Sequence, residues 1–295
     1  MPSDVTESLA PSRSRLGIDD ETYTQLSRVP YGERVAAVAR AALARLDCPQ
    51  YLSALDNALI EEPPPFGTDA YADIYCEASQ DGQWMAVSLI TNAEREGDGA
   101  KRLWSLGACS DDENEQQQLK RHAVDESRHA LAYLALLDLT FPDATSPAFR
   151  KELNALSPGF SMDQPLCAVE GSPYAKLPSI DDFVQMNIAE IRTALHHLMQ
   201  RPALATHCPP DNRSRARSIQ QSLLQDELYH VAYTAALIER RAQSGRLNLA
   251  ELFTRRFHDF NLITLEELGD RRFDCSLACC AKRPWCRAKA HISDA

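Results

Sequence analysis

Two copies of the pattern D-E-x-x-H lie inside otherwise apolar helical runs, 101 residues apart. The first is in "AVDESRHALAYLALLDL" at 123–139, and the second is in "DELYHVAYTAALIER" at 226–240. Residues three apart share one face of an α-helix, so Glu126 with His129, and Glu227 with His230, each present an oxygen and a nitrogen together. A fold that buries these helices must therefore also accommodate buried carboxylates and imidazoles.

Chance does not explain the repeat. With 19 Glu and 8 His in 295 residues, about half a copy of E-x-x-H is expected (19 × 8 / 295). Requiring Asp before the Glu, with 23 Asp in the chain, lowers the expectation to roughly 0.04 copies (a further factor of 23 / 295). Two copies in corresponding sequence contexts indicate two halves of one pseudo-symmetric unit.

The apolar periodicity is almost wholly helical. It predicts four long helices and a shorter last one, at about 78–107, 113–140, 180–201, 213–243 and 248–268. A further helical pattern at 33–46 is followed by the breaker "EEPPPFG" at 61–67. Short connections within each long pair favour antiparallel hairpins, and about 40 residues between the pairs can cross the length of a bundle.

Two helical hairpins joined by one long crossover form the ferritin-like version of a four-helix bundle. We therefore predict an all-α fold, a ferritin-like four-helix bundle with additional N- and C-terminal helices. The predicted domain organisation is a flexible N-terminal arm at 1–30, a helical domain at 31–270 and a Cys/Lys/Arg-rich tail at 271–295.

Composition narrows the class of protein. The net charge of −11 disfavours nucleic acid and anionic membranes as partners. No apolar run is long enough to span a bilayer, and the first residues lack the apolar core of a secretory signal. The nine cysteines are an odd number and mostly isolated, which favours reduced thiols. We predict a cytoplasmic protein.

A two-metal site in such a bundle also needs one carboxylate from each remaining helix. Glu190 shares an apolar stripe with Phe183, Met186 and Leu198 on the third helix. On the first helix the candidates are Glu96, which lies on the stripe of Leu89 and Leu103, and Glu94. Glu96 is preferred, and Glu94 stays open as the alternative.

One histidine stands beside the motifs. His122 lies one turn before Glu126 and is a possible extra ligand, although a satisfied, partly buried histidine is the alternative. The corresponding position in the second motif is Leu223.

The predicted ligand set mixes carboxylates with imidazoles and contains no thiolate. Unpaired in an apolar core, such groups would cost several kcal/mol each, whereas divalent ions compensate their charge. This donor set suits iron or manganese better than structural zinc, which favours thiolates.

These motifs, with Glu96 and Glu190 upstream, resemble the ligand pattern of the ferritin-like non-haem di-iron carboxylate superfamily. The resemblance covers about 80–243. It implies a metal site of Glu96, Glu126, His129, Glu190, Glu227 and His230. It also implies that Asp226 orients His129 and that Asp125 orients His230.

The resemblance implies an enzyme that activates dioxygen at two Fe ions, with Mn or Mn/Fe as alternatives. We predict a monooxygenase or oxidase that hydroxylates, N-oxygenates or desaturates a small organic molecule, with secondary metabolism as the setting. No G-x-G-x-x-G nucleotide fingerprint is present, so the electrons come from an external reductase or ferredoxin. The predicted assembly is a homodimer. The alternatives to this predicted function are a ferroxidase or iron-handling ferritin-like protein and a tRNA hydroxylase-like enzyme.

Overall fold

The computed structural model describes residues 20–243 and 247–267 of the chain, and all of its regular structure there is helical. The predicted all-α class is therefore confirmed. Ten α-helices are present in this part of the chain: α1 Asp20–Arg28, α2 Tyr31–Ala42, α3 Pro49–Glu61, α4 Asp69–Ala78, α5 Gly82–Ala108, α6 Glu113–Thr140, α7 Pro147–Leu153, α8 Ile180–His207, α9 Arg213–Gln243 and α10 Leu249–Glu267. None of these helices combines the length and the apolar character that crossing a bilayer requires.

The described residues fall into two compact units, each built from separate stretches of chain. The first unit contains Ala78–Ser179 and Gln200–His230, and therefore all of α5 and α6. The second contains Glu21–Glu77 and Ile180–Met199, together with the described residues from Val231 onward. The residues predicted to form one domain, 31–270, are thus divided between the two units.

The core of the first unit is formed by α5 and α6 together with the end of α8 and the first half of α9. Its apolar members include Met85 and Leu89 from α5, Leu134 and Leu137 from α6, and Leu204 near the end of α8. Side-chain caps fix where both long helices begin. Asp81 accepts hydrogen bonds from the backbone N–H groups of Gln83 and Trp84, and Asp112 accepts one from Glu115.

The second unit has an aromatic core with a buried polar network beside it. Tyr51 packs edge to face against Phe253, with ring centroids 5.6 Å apart. The Tyr51 hydroxyl donates to Asn187 Oδ1 at 2.8 Å, and Asn187 Nδ2 donates to Thr234 Oγ1 at 2.9 Å. These bonds satisfy polar groups that would otherwise be costly to bury.

Several element boundaries differ from the sequence predictions. The helix predicted at 78–107 begins four residues later, at Gly82, because Asp81 caps it, and a separate helix, α4, ends at Ala78. The helix predicted at 180–201 continues through Pro202 to His207. Proline cannot donate to the carbonyl four residues earlier, and that oxygen, on Leu198, instead accepts from the Tyr23 hydroxyl at 3.4 Å.

Residues 20–28, which the sequence analysis assigns to a flexible arm, form helix α1. Its anchor is Leu26, which is buried, and Ser27 donates to the Tyr23 carbonyl at 2.8 Å. A single buried leucine in a polar, Ser-rich stretch gives too weak a periodic pattern to indicate a helix. Residues 1–19 of the predicted arm, and the predicted tail at 271–295, lie outside the described residues.

Gly97 allows close contact between α5 and the crossover segment, which is the connection at 141–179 between α6 and α8. A Cβ at this position would overlap the backbone carbonyl of Leu156, which cannot move aside as a side chain can. We expect Gly97→Ala to lower the free energy of unfolding by about 1–3 kcal/mol through overpacking, measured by urea denaturation. Gly32→Ala is the control, because no atom lies within 4 Å of its added Cβ. Equal stability of the two variants would contradict the assigned contact.

Candidate metal centre

Three helices contribute side chains to one polar cluster in the first unit. The cluster consists of Glu96 from α5, His122, Glu126 and His129 from α6, and Glu227 and His230 from α9. Five of these residues are buried and Glu96 is half-buried. Fully buried apolar side chains lie beside the motifs in the chain, including Ala130 and Leu134 after the first motif and Leu228 within the second.

The two D-E-x-x-H motifs face each other. Glu126 Oε1 lies 3.5 Å from His129 Nδ1 and 3.4 Å from His230 Nδ1. The Glu227 carboxylate lies 3.3 Å from His129 Nδ1 through Oε1 and 3.5 Å from His230 Nδ1 through Oε2. Each carboxylate is therefore near the imidazole of its own helix and the imidazole of the other helix.

The structure distinguishes between the two carboxylates of α5 that are candidate metal ligands. Glu96 offers an oxygen that lies with ligand atoms of Glu126 and His129 in a group whose members are all within 4.8 Å of one another. Glu94 is exposed. The structure thus brings Glu96 into the cluster and leaves Glu94 on the surface.

The outer nitrogens of the two motif histidines face aspartates across the helix pair. His129 Nε2 lies 3.3 Å from Asp226 Oδ2, and His230 Nε2 lies 3.5 Å from Asp125 Oδ2. These are the two pairings that the resemblance implies. A carboxylate behind an imidazole fixes its tautomer and ring orientation, which leaves both Nδ1 atoms directed into the cluster.

Arg128 connects the two aspartates. Its Nη2 donates to Asp226 Oδ2 at 2.6 Å and to Asp125 Oδ1 at 2.9 Å. One guanidinium therefore holds both aspartates that contact the histidines and compensates part of their charge. The sequence does not reveal this bridging position, because Arg128 and Asp226 are far apart in the chain.

The electrostatics of the cluster depend on sharing protons between acids and imidazoles. Burial, and next the negative charge of Glu126, raise the pKa of Glu96 well above its usual range. Burial opposes ionisation of Glu126 too, but the hydrogen bond from Glu96 and the charge of His129 hold its pKa well below its usual range. Burial likewise opposes the charge of His129, but Glu126 and Asp226 raise its pKa well above its usual range. Positive charge is thus favoured where these groups meet.

The residues present fit divalent metal ions. Glu126 Oε1 and His129 Nδ1 are buried, and neither has a hydrogen-bond partner within the described part of the chain. Buried polar atoms are normally satisfied, so such atoms facing one another call for an explanation. Carboxylate oxygens and neutral imidazole nitrogens are the donors that iron and manganese accept, and a bound ion would satisfy both atoms.

Glu190 is the one predicted ligand outside the first unit. It is buried on α8 within the second unit. Its role as a ligand stays a prediction from the sequence pattern.

The crossover segment contributes contacts that sequence reasoning missed. Ser157 Oγ donates to the Ser127 carbonyl at 2.6 Å, and the Phe160 N–H donates to Ser127 Oγ at 3.0 Å. Phe160 also stacks on Trp104, with ring centroids 4.3 Å apart. The segment is therefore fixed against α5 and against the residue that follows Glu126. Isolated serines in an irregular segment carry no periodic signal that could reveal this.

Comparison of the chain with protein-family models, curated proteins and solved structures finds no significant match.

The bridge formed by Arg128 generates a stability prediction for metal-free protein. In Arg128→Met, Asp125 and Asp226 lose their shared cation at sites that are only 14% and 7% exposed. We expect the free energy of unfolding, measured by urea denaturation with a chelator present, to fall by about 2 kcal/mol.

Arg150→Met is the matched control, because it removes an ion pair with Asp138 whose carboxylate is 48% exposed. Exposed pairs contribute under about 1 kcal/mol, so this variant should lose less stability. Similar losses in the two variants would show that the bridge adds little.

Proposed function

We propose that this chain is a dioxygen-dependent oxidoreductase that holds two iron ions in a ferritin-like four-helix bundle and oxidises a small organic molecule. The observation that carries the proposal is the convergence of both D-E-x-x-H motifs, with Glu96, in one buried cluster. The internal repeat and the order of the long helices support the bundle topology.

The distances suggest how two ions would be divided among the ligands. Glu126 and Glu227 each lie near both His129 and His230, so each carboxylate would hold an ion together with either imidazole. Glu96 lies with Glu126 and His129, which assigns it to the ion bound by His129. The sequence pattern supplies Glu190 as the carboxylate for the ion bound by His230.

Charge supports two ions rather than one. Four glutamates carry four negative charges when ionised, and two divalent ions carry four positive charges. With the histidines neutral, the ligand set and the ions would form a nearly neutral core, which lowers the cost of burial. Protons that the metal-free cluster retains would be released as the ions bind.

When bound and reduced, the iron ions would supply dioxygen activation. The chain's own residues hold the ions, orient the imidazoles and exclude water. Asp125 and Asp226, held by Arg128, keep the Nδ1 atoms of His230 and His129 directed inward. The buried apolar residues around the motifs keep bulk water from the reacting atoms, as oxidative chemistry requires. Reducing electrons come from an external donor in this proposal.

Iron binding by two variants tests whether Glu96, and not Glu94, is a metal ligand. Under anaerobic conditions we expect the wild-type protein to bind two Fe²⁺ per chain and to melt at a higher temperature than the metal-free protein, because ligands that bind only the folded state stabilise it. Glu96→Gln should weaken binding of one ion by roughly tenfold or more. Glu94→Gln, two residues away and exposed, should bind iron like the wild type. The assignment would be contradicted if the two variants had the same iron affinity.

Dioxygen reactivity distinguishes the proposed oxidoreductase from a protein that only handles iron. Mixing reduced, iron-loaded protein with dioxygen should give a transient visible absorption, and a Glu126→Ala, Glu227→Ala double variant should lose it together with the bound iron. Formation of an iron-oxide mineral after addition of excess Fe²⁺, with no organic oxidation product, would instead indicate ferroxidase activity. The readouts are stopped-flow absorption and light scattering.

A further inference from the structure

His122 is a third histidine in the cluster and belongs to neither D-E-x-x-H motif. It lies one turn before Glu126 on α6, and none of its surface is exposed. Its Nε2 is 3.1 Å from Glu126 Oε1, and its ring lies against that of His230, with centroids 3.7 Å apart. The sequence alone does not decide whether this side chain is a ligand or an ordinary buried histidine.

We propose that His122 is a metal ligand, through Nε2, at the ion that His230 binds. This inference rests on the proposed metal centre and adds a third imidazole to it. Ligand atoms of His122, Glu126 and His230 all lie within 4.8 Å of one another, which is the spacing of donors around a single ion. The group formed by Glu96, Glu126 and His129 is a second set, with Glu126 common to both.

The geometry at Glu126 supports a ligand over a histidine that serves only packing. Three imidazole nitrogens surround Glu126 Oε1, from His122 at 3.1 Å, His230 at 3.4 Å and His129 at 3.5 Å. Imidazole nitrogens from three histidines around one buried carboxylate oxygen place His122 among the donors that would share ions with that oxygen.

The third imidazole makes the two ion positions unequal. The position equivalent to His122 in the second motif is Leu223, which is buried and cannot bind a metal. One ion would therefore be held by two imidazoles and the other by His129 alone. An extra protein ligand leaves fewer positions for exogenous molecules, so small molecules would bind preferentially at the ion held by Glu96 and His129.

Cobalt substitution tests the proposal without relying on activity. Each imidazole bound to paramagnetic Co²⁺ gives one hyperfine-shifted, exchangeable N–H signal in proton NMR. We expect three such signals in the wild type loaded with two Co²⁺, and two in His122→Leu, which reproduces the residue of the second motif. Titration should show that one of the two Co²⁺ dissociation constants rises about tenfold or more, while the other stays unchanged.

His207→Gln is the control, because His207 lies outside the cluster and contacts the Ser79 carbonyl at 2.7 Å. It should keep three signals and both dissociation constants. His122→Gln gives a second test if the leucine variant does not fold, and circular dichroism of metal-free protein monitors folding. Two signals in the wild type that persist in the His122 variants would overturn the assignment of His122 as a ligand but not the metal centre. Failure of the wild type to bind Co²⁺ would overturn the metal centre and the inference together.

Discussion

Burial of ionisable side chains is the constraint on which the first unit of this protein depends. Glu126, His129, Glu227 and His230 are at most 4% exposed, on helices whose other inward residues are mainly apolar. A carboxylate alone in such surroundings is too costly to retain. Carboxylates and imidazoles facing one another reduce that cost by sharing protons, and in our proposal two metal ions remove most of it.

The same constraint explains the layers around the cluster. Asp125 and Asp226 lie behind the motif histidines, and Arg128 lies between the aspartates. Positive and negative groups thus alternate from the cluster toward the surface, and each is near a partner of opposite charge. The crossover segment packs on helices α5 and α6 beside these layers. Hydrogen bonds to Ser127 hold it on α6, and the missing side chain of Gly97 lets it approach α5 closely.

The sequence predicted those features that repeat or that have strong periodicity. The D-E-x-x-H motifs, the four long helices and the preference for Glu96 over Glu94 follow from helical spacing, because spacing alone decides which side chains share a face. Helices α1, α3, α4 and α7 were missed, since short helices stabilised by tertiary contacts leave weak patterns. The bridge through Arg128 depends on residues 98 positions apart, and no local pattern encodes such a contact.

Diffraction from crystals prepared with Fe²⁺ under anaerobic conditions tests the central claim most directly, with data collected above and below the iron absorption edge. The account predicts two anomalous peaks per chain, about 3.5–4 Å apart, with Glu126 and Glu227 between them and with His129 and His230 at opposite ends. A cluster without anomalous density, or with iron bound only at surface carboxylates, would contradict it.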